Sequence, residues 1–104
     1  MDEILLKKIE VLINSSDVFL FMKGTPQDPQ CGFSSKVVDI LHQLGVTFSS
    51  FDVFSDEEIR QGVKEYAHWP TYPQLYLHGQ LIGGCDLVVE MSESGELKEL
   101  LKKI

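Results

Sequence analysis

Apolar residues along the chain follow two rhythms, and the changes between them mark out the elements. Over residues 2–14, Leu5, Ile9 and Leu12 recur at helical spacing with Lys7, Lys8 and Glu10 between them. This predicts an amphipathic helix ended by Asn14-Ser15-Ser16. Residues 17–22, DVFLFM, are an apolar run rich in β-formers and predict a buried strand. Lys23-Gly24 breaks that run, and a loop over 23–30 follows with Pro26 and Pro29 in it. A helix is predicted over 31–44, with Val37, Val38, Leu41 and Leu44 as its inner face and Gly45 in a C′-like stop position. Residues 47–53, TFSSFDV, predict a second strand, and a strand, helix and strand with short links imply a right-handed parallel crossover.

Ser55-Asp56-Glu57-Glu58 reads as a capping box opening a third helix, with its acids in the first turn. Ile59, Val63 and Tyr66 are expected to face inward, and Arg60 and Lys64 share an outer face. Gly62 weakens this helix slightly. Pro70 and Pro73 keep the segment Trp69-Pro70-Thr71-Tyr72-Pro73 out of helix and central strand. Residues 74–77, the turn His78-Gly79 and residues 80–83 predict a β-hairpin. Helices are expected at 85–91 and from about Gly95, the last with Leu97, Leu100, Leu101 and Ile104 as its apolar stripe. The chain thus reads as one α/β domain, 1–104. Two parallel strands and an antiparallel hairpin make a four-stranded mixed sheet, with helices on both faces.

Composition narrows the function classes. With 43% hydrophobic and 24% charged residues the chain is ordinary for a globular domain, which argues against disorder. A net charge of −7 argues against nucleic acid or an anionic membrane as a partner. A local basic pocket stays open, since Lys23, Lys36, Arg60 and Lys64 can converge. No run is long enough to span a membrane, and the start of the chain, with Asp2 and Glu3, shows no export pattern. The expected address is cytoplasmic, with the nucleus also open. Two cysteines far apart are not a secreted disulfide framework and fit a reducing compartment.

The chemistry gathers at Cys31, which falls where the loop gives way to a helix. Free N–H groups and partial positive charge at a helix start, with Lys23 upstream, are expected to lower the thiol pKa. A thiolate serves as nucleophile or as metal ligand, so redox chemistry and metal binding are both open. A buried structural cysteine is the plain alternative, but Gly, Pro and Ser surround Cys31 rather than core residues. Ligands of open α/β sheets collect beyond the C-terminal ends of parallel strands. Lys23 and Arg60 are suited to carboxylates, the helix start at 85 to another, and Asp86 to an ammonium. That set suits a small zwitterion with two carboxylates and one amine. Cys85 is either a helix-start residue used through its N–H or a disulfide partner of Cys31. His42, His68 and His78 lack zinc-ligand spacing with the cysteines. Trp69 is expected beside the ligand groove, and Tyr66 and the phenylalanines in the core.

Four motifs then carry a resemblance that covers nearly the whole chain. They are Cys31-Gly32-Phe33-Ser34, Phe-Met-Lys-Gly-Thr-Pro at 21–26, Trp-Pro-Thr-Tyr-Pro-Gln at 69–74 and Gly-Gly-Cys-Asp at 83–86. Together they resemble the CGFS monothiol glutaredoxins, most of all the cytosolic, often multidomain members. The resemblance implies a thioredoxin-like fold with Pro73 as a cis proline. It implies a glutathione site in which Lys23 and Arg60 meet the glycyl carboxylate. The Tyr72 backbone would pair with the cysteinyl part, Thr71 and Gly84 would line the site, and Cys85 and Asp86 would hold the γ-glutamyl end. It also implies Cys31 as an iron ligand, with two chains and two glutathiones bridging one [2Fe–2S] cluster in a homodimer. Such a cluster needs four ligands, and glutathione sulfurs fill those the chains do not supply. A BolA-like protein and apo iron–sulfur proteins are the partners so implied. Serine at 34, where a dithiol enzyme carries its resolving cysteine, removes the ordinary dithiol cycle. A monothiol oxidoreductase acting through Cys31 and glutathione is the alternative.

Overall fold

Strand β1, Val18–Met22, has all five of its side chains buried. Only a strand covered on both faces demands such an unbroken apolar run. The computed structural model describes residues 1–102, so Ile104 lies outside the described residues. β1 pairs parallel with β4, Ser49–Asp52, and antiparallel with β5, Gln74–Leu77, which turns back into β6, Gln80–Gly83. The mixed sheet runs in the order β4-β1-β5-β6.

Alternation along β1 divides the core in two. Phe19 and Phe21 pack with α1, Glu3–Ile13, and α3, Glu57–Ala67, through Leu5, Ile9, Ile13, Ile59 and Val63. Val18, Leu20 and Met22 pack on the other face with α2, Gly32–Gln43, and with α4, Cys85–Ser94, and α5, Glu96–Lys102. Each fully buried apolar side chain of this kind stabilises the fold by about 2 kcal/mol. Gly62 has a packing role: a Cβ there would come within 2.9 Å of Leu5 Cδ2 and 3.1 Å of Ile9 Cδ1. Its missing side chain lets α1 and α3 approach closely.

The structure corrects several boundaries. The expected loop 23–30 contains a small hairpin, β2 (Gly24–Thr25) with β3 (Asp28–Pro29). Gly24 makes it possible: it has φ +89°, and a Cβ would lie 2.5 Å from the Asp28 carbonyl oxygen. The third helix is capped by Asp56, whose carboxylate accepts the Ile59 N–H at 3.1 Å, and not by Ser55. Ser55 closes a 3-10 turn over Val53–Ser55, its hydroxyl donating to the Asp52 carbonyl at 2.6 Å. α4 runs on to Ser94, three residues past its expected end, before Gly95 separates it from α5. His78 and Gly79 both have positive φ, the conformation that a tight two-residue hairpin turn requires. Phe19 and Phe21 are core residues, but Phe33 and Phe54 are exposed, contrary to expectation.

Candidate thiol site and its groove

Three irregular segments meet at one end of the sheet: the β1–α2 connection, the Trp69–Pro73 segment and the start of α4. Between them lies a groove of about 500 Å³. Of the residues singled out in the sequence, Lys23, Thr71, Tyr72, Gly84, Cys85 and Asp86 line it. Phe33, Trp69 and Leu87 complete the lining. Cys31, Arg60 and Pro73 are not among its lining residues. A larger depression of about 810 Å³ lies against α1 and the start of α3, but its lining is mainly apolar in area and holds neither cysteine.

Cys31 is the N-cap residue of α2, with extended backbone. Its sulfur accepts no full capping hydrogen bond. Partial burial is the largest single influence and pushes its pKa up, but four smaller opposing influences together bring it below the ordinary thiol value. These are the N–H groups of Ser34 and Phe33, the Lys23 charge and the Ser34 hydroxyl. Ser34 is fully buried, and its hydroxyl accepts the Lys23 backbone N–H at 3.1 Å. Cys85 behaves in the opposite way. Burial, then the neighbouring Asp86 charge, raise its pKa, Lys36 works against them, and Cys31 adds a further rise. The two thiols are therefore close enough to feel one another's charge, and both are free.

The groove wall is built on a buried glutamine. Gln74 is fully buried, and its amide donates to the carbonyls of Trp69 at 3.1 Å and Thr71 at 3.2 Å. Its amide oxygen accepts the Tyr76 hydroxyl at 2.9 Å. A buried amide with its partners in place rigidifies the segment it holds. The Tyr72–Pro73 peptide is cis. The Tyr72 hydroxyl donates to the Arg60 carbonyl at 2.7 Å, and burial pushes that phenol well above the usual tyrosine range, so it stays a donor. Gly84 leaves room for Trp69, since a Cβ there would lie 3.2 Å from Nε1. The indole N–H itself is buried without a partner.

Of the four cations that the sequence left free to converge, two do so around an aromatic ring. Lys23 Nζ lies 5.9 Å and the Arg60 guanidinium carbon 5.6 Å from the centroid of Phe54. Arg60 also pairs with Glu57 at 3.2 Å. Lys36 instead acts on Cys85, and Lys64 on Glu57. Phe33, Leu87 and Phe54 were not legible as site residues. Each is apolar, and only the tertiary structure shows it to be left uncovered.

A thiol biased toward thiolate at a helix start, beside a groove lined by Lys23 and by Asp86, on a thioredoxin-like sheet, has the make-up of a thiol-chemistry domain. Comparison agrees: residues 18–82 match the Glutaredoxin family model, and the chain belongs to the glutaredoxin family. It is 57% identical over 102 residues to Monothiol glutaredoxin-S11 of Oryza sativa subsp. japonica, covering 98% of this chain and 21% of that protein. The chain thus spans about a fifth of that relative's length. The solution structure of reduced poplar apo GrxS14 superposes with TM-score 0.83 at 49% identity, covering 95% of this chain and 91% of that one. The crystal structure of a buckwheat glutaredoxin–glutathione complex superposes with TM-score 0.85 at 27% identity, covering 97% and 90%.

Proposed function

We propose that the chain binds and transfers a [2Fe–2S] cluster in a glutathione-dependent manner, the cluster being cargo rather than a resident group. The observation that carries this reading is the pairing of Cys31 with Ser34. Cys31 is biased toward thiolate, and the position three residues on holds a buried hydroxyl instead of a second thiol. The donor arithmetic agrees. Among the described residues there is no group of three or more His, Cys, Asp or Glu side chains placed to hold a metal. One thiolate per chain leaves a four-ligand cluster in need of a second chain and of sulfurs from outside the protein. The groove is suited to bring such a sulfur. Lys23 and Arg60 would take the glycyl carboxylate of glutathione, the Tyr72 backbone and Thr71 its middle, and Gly84, Cys85 and Asp86 its γ-glutamyl end. The related buckwheat protein is described in complex with glutathione. On this reading the partners are a second copy of the chain, apo iron–sulfur proteins and a BolA-like protein, and the setting is the cytoplasm.

The lowered Cys31 pKa also favours a second reading, a monothiol oxidoreductase. There the Cys31 thiolate attacks the glutathione sulfur of a mixed disulfide and the other thiol leaves as thiolate. A second glutathione then attacks the Cys31–glutathione disulfide, releasing glutathione disulfide and restoring Cys31.

Anaerobic reconstitution with iron, sulfide and glutathione separates the two. A visible cluster in a dimer with one glutathione per chain, absent in Cys31→Ser, is the expected result. Failure to form a cluster, with rapid reduction of glutathione mixed disulfides by the wild type, would replace the carrier with the oxidoreductase.

A further inference from the structure

Phe54 is an aromatic residue that the core does not use. It is 51% exposed, in the 3-10 turn between β4 and α3, and two cations flank its ring within 6 Å of the centroid. Lys23 and Arg60 carry like charge, so holding both at one place requires compensation. Among the described residues Lys23 has no ion pair, and Arg60 has only Glu57, a 70% exposed carboxylate three residues before it. The negative face of an aromatic ring is such a compensating group, and it leaves the Lys23 ammonium and the Arg60 N–H groups not given to Glu57 available for an anion.

The backbone holds this arrangement in register. One carboxylate oxygen, Asp52 Oδ1, accepts the N–H of Gly24, next to Lys23, at 2.9 Å. The same oxygen accepts the N–H of Phe54, also at 2.9 Å. Asp52 therefore ties the cation-bearing end of β1 to the ring. On the other side the Tyr72 hydroxyl holds the Arg60 carbonyl, which ties the second cation to the groove wall.

We infer that Phe54 is a positioning residue for the carboxylate end of the groove, its ring aligning Lys23 and Arg60 so that both address one ligand carboxylate. This deepens the glutathione reading above and rests on it. Phe54 touches the cations, not the reacting sulfur, so its effect belongs to binding and not to Cys31 reactivity.

The test is calorimetric titration of the full chain with glutathione and, separately, with its glycyl ethyl ester, in which the glycyl carboxylate is masked. Wild type, Phe54→Leu, Phe54→Trp and Lys23→Gln are compared, with thermal melts as a folding check. Phe54→Leu keeps bulk and loses the ring; it is expected to weaken glutathione by about threefold to fivefold, as loss of exposed cation–π contacts implies. Phe54→Trp is expected to stay within about twofold of wild type, because a larger ring preserves the interaction. For the glycyl ester wild type and both Phe54 variants should bind alike. Equal losses for both ligands in Phe54→Leu, or unchanged glutathione binding, overturn the inference while leaving the glutathione reading intact. If wild type binds neither ligand, the glutathione reading itself falls and takes the inference with it. Should Phe54→Leu melt early, the Phe54→Trp titration decides alone: a loss as large as that of Lys23→Gln, confined to glutathione, contradicts ring-based alignment.

Discussion

The two cysteines stand at comparable places, each at the start of a helix beside the same groove, yet their surroundings drive them in opposite directions. Cys31 is the N-cap of α2, so its side chain faces the free N–H groups of the second and third helical residues, Phe33 and Ser34. Cys85 is the first residue inside α4, one step past its Gly84 cap, and sits beside Asp86. Partial burial raises the pKa of both. Only at Cys31 do N–H groups, a hydroxyl and a cation together overcome it. One position along a helix, together with the sign of the adjacent charge, separates the two pKa directions.

The comparison breaks most sharply under thiol removal. In Cys31→Ser, alkylation by iodoacetamide near neutral pH should fall on the order of tenfold or more, whereas Cys85→Ser should leave most of the rate, since thiolate fraction controls reactivity. Mass spectrometry of the single variants across pH should put the Cys31 midpoint below the ordinary thiol value and the Cys85 midpoint above it. Equal midpoints would dissolve the distinction. The stability signs follow. Cys31, with its pKa lowered by folding, stabilises the fold above the ordinary thiol pKa, and this is lost as pH falls through its folded pKa. Cys85, with its pKa raised, withdraws stability as pH rises past the ordinary value. Melts at about pH 10 should therefore favour Cys85→Ser over Cys31→Ser, relative to their order near neutrality.

A smaller effect is expected from Ser34→Ala. It removes one of the groups that lower the Cys31 pKa, so the alkylation midpoint should move upward while staying below that of Cys85. It also leaves the Lys23 N–H without its acceptor, which should destabilise the domain by about 1–3 kcal/mol in urea unfolding. An unshifted Cys31 midpoint would mean that the helix N–H groups and Lys23 suffice. Smallest is Asp86→Asn, tested in the Cys31→Ser background. Loss of a negative neighbour should lower the Cys85 midpoint and raise its neutral-pH alkylation by only about twofold, because Asp86 is solvent-exposed and salt screens it. A large change would show that the charge, not burial, governs Cys85.

Much of this site could be read from the chain because its signals are local. A cysteine after a proline-containing loop and before an amphipathic run marks a helix start whatever surrounds it, and the Gly-Gly before Cys85 does the same. The β1 run and the His78-Gly79 turn likewise carry their own instructions. Phe54 illustrates the opposite case. An isolated phenylalanine reads as core, and only the Asp52 bridge to Gly24 shows why it is held at the surface between two cations. The helix cap moved from Ser55 to Asp56 for a related reason: Asp52 had already drawn residues 53–55 into a 3-10 turn that uses the Ser55 hydroxyl. The convergence of Lys23 with Arg60 but not with Lys36 depends on the Gly24–Asp52 hydrogen bond, 28 residues apart along the chain, and on the Lys23–Phe54 contact, which spacing along a single chain does not encode.

The Ser34 hydroxyl has a consequence beyond the absence of a second thiol. It receives the Lys23 backbone N–H in a space with no solvent access, so the segment delivering the cation and the residue replacing the resolving group form one unit. A sulfur at that place would be bulkier and a poorer acceptor. Turning this protein into a two-thiol catalyst is therefore not a single-atom exchange; the end of the central strand would have to be re-anchored at the same time.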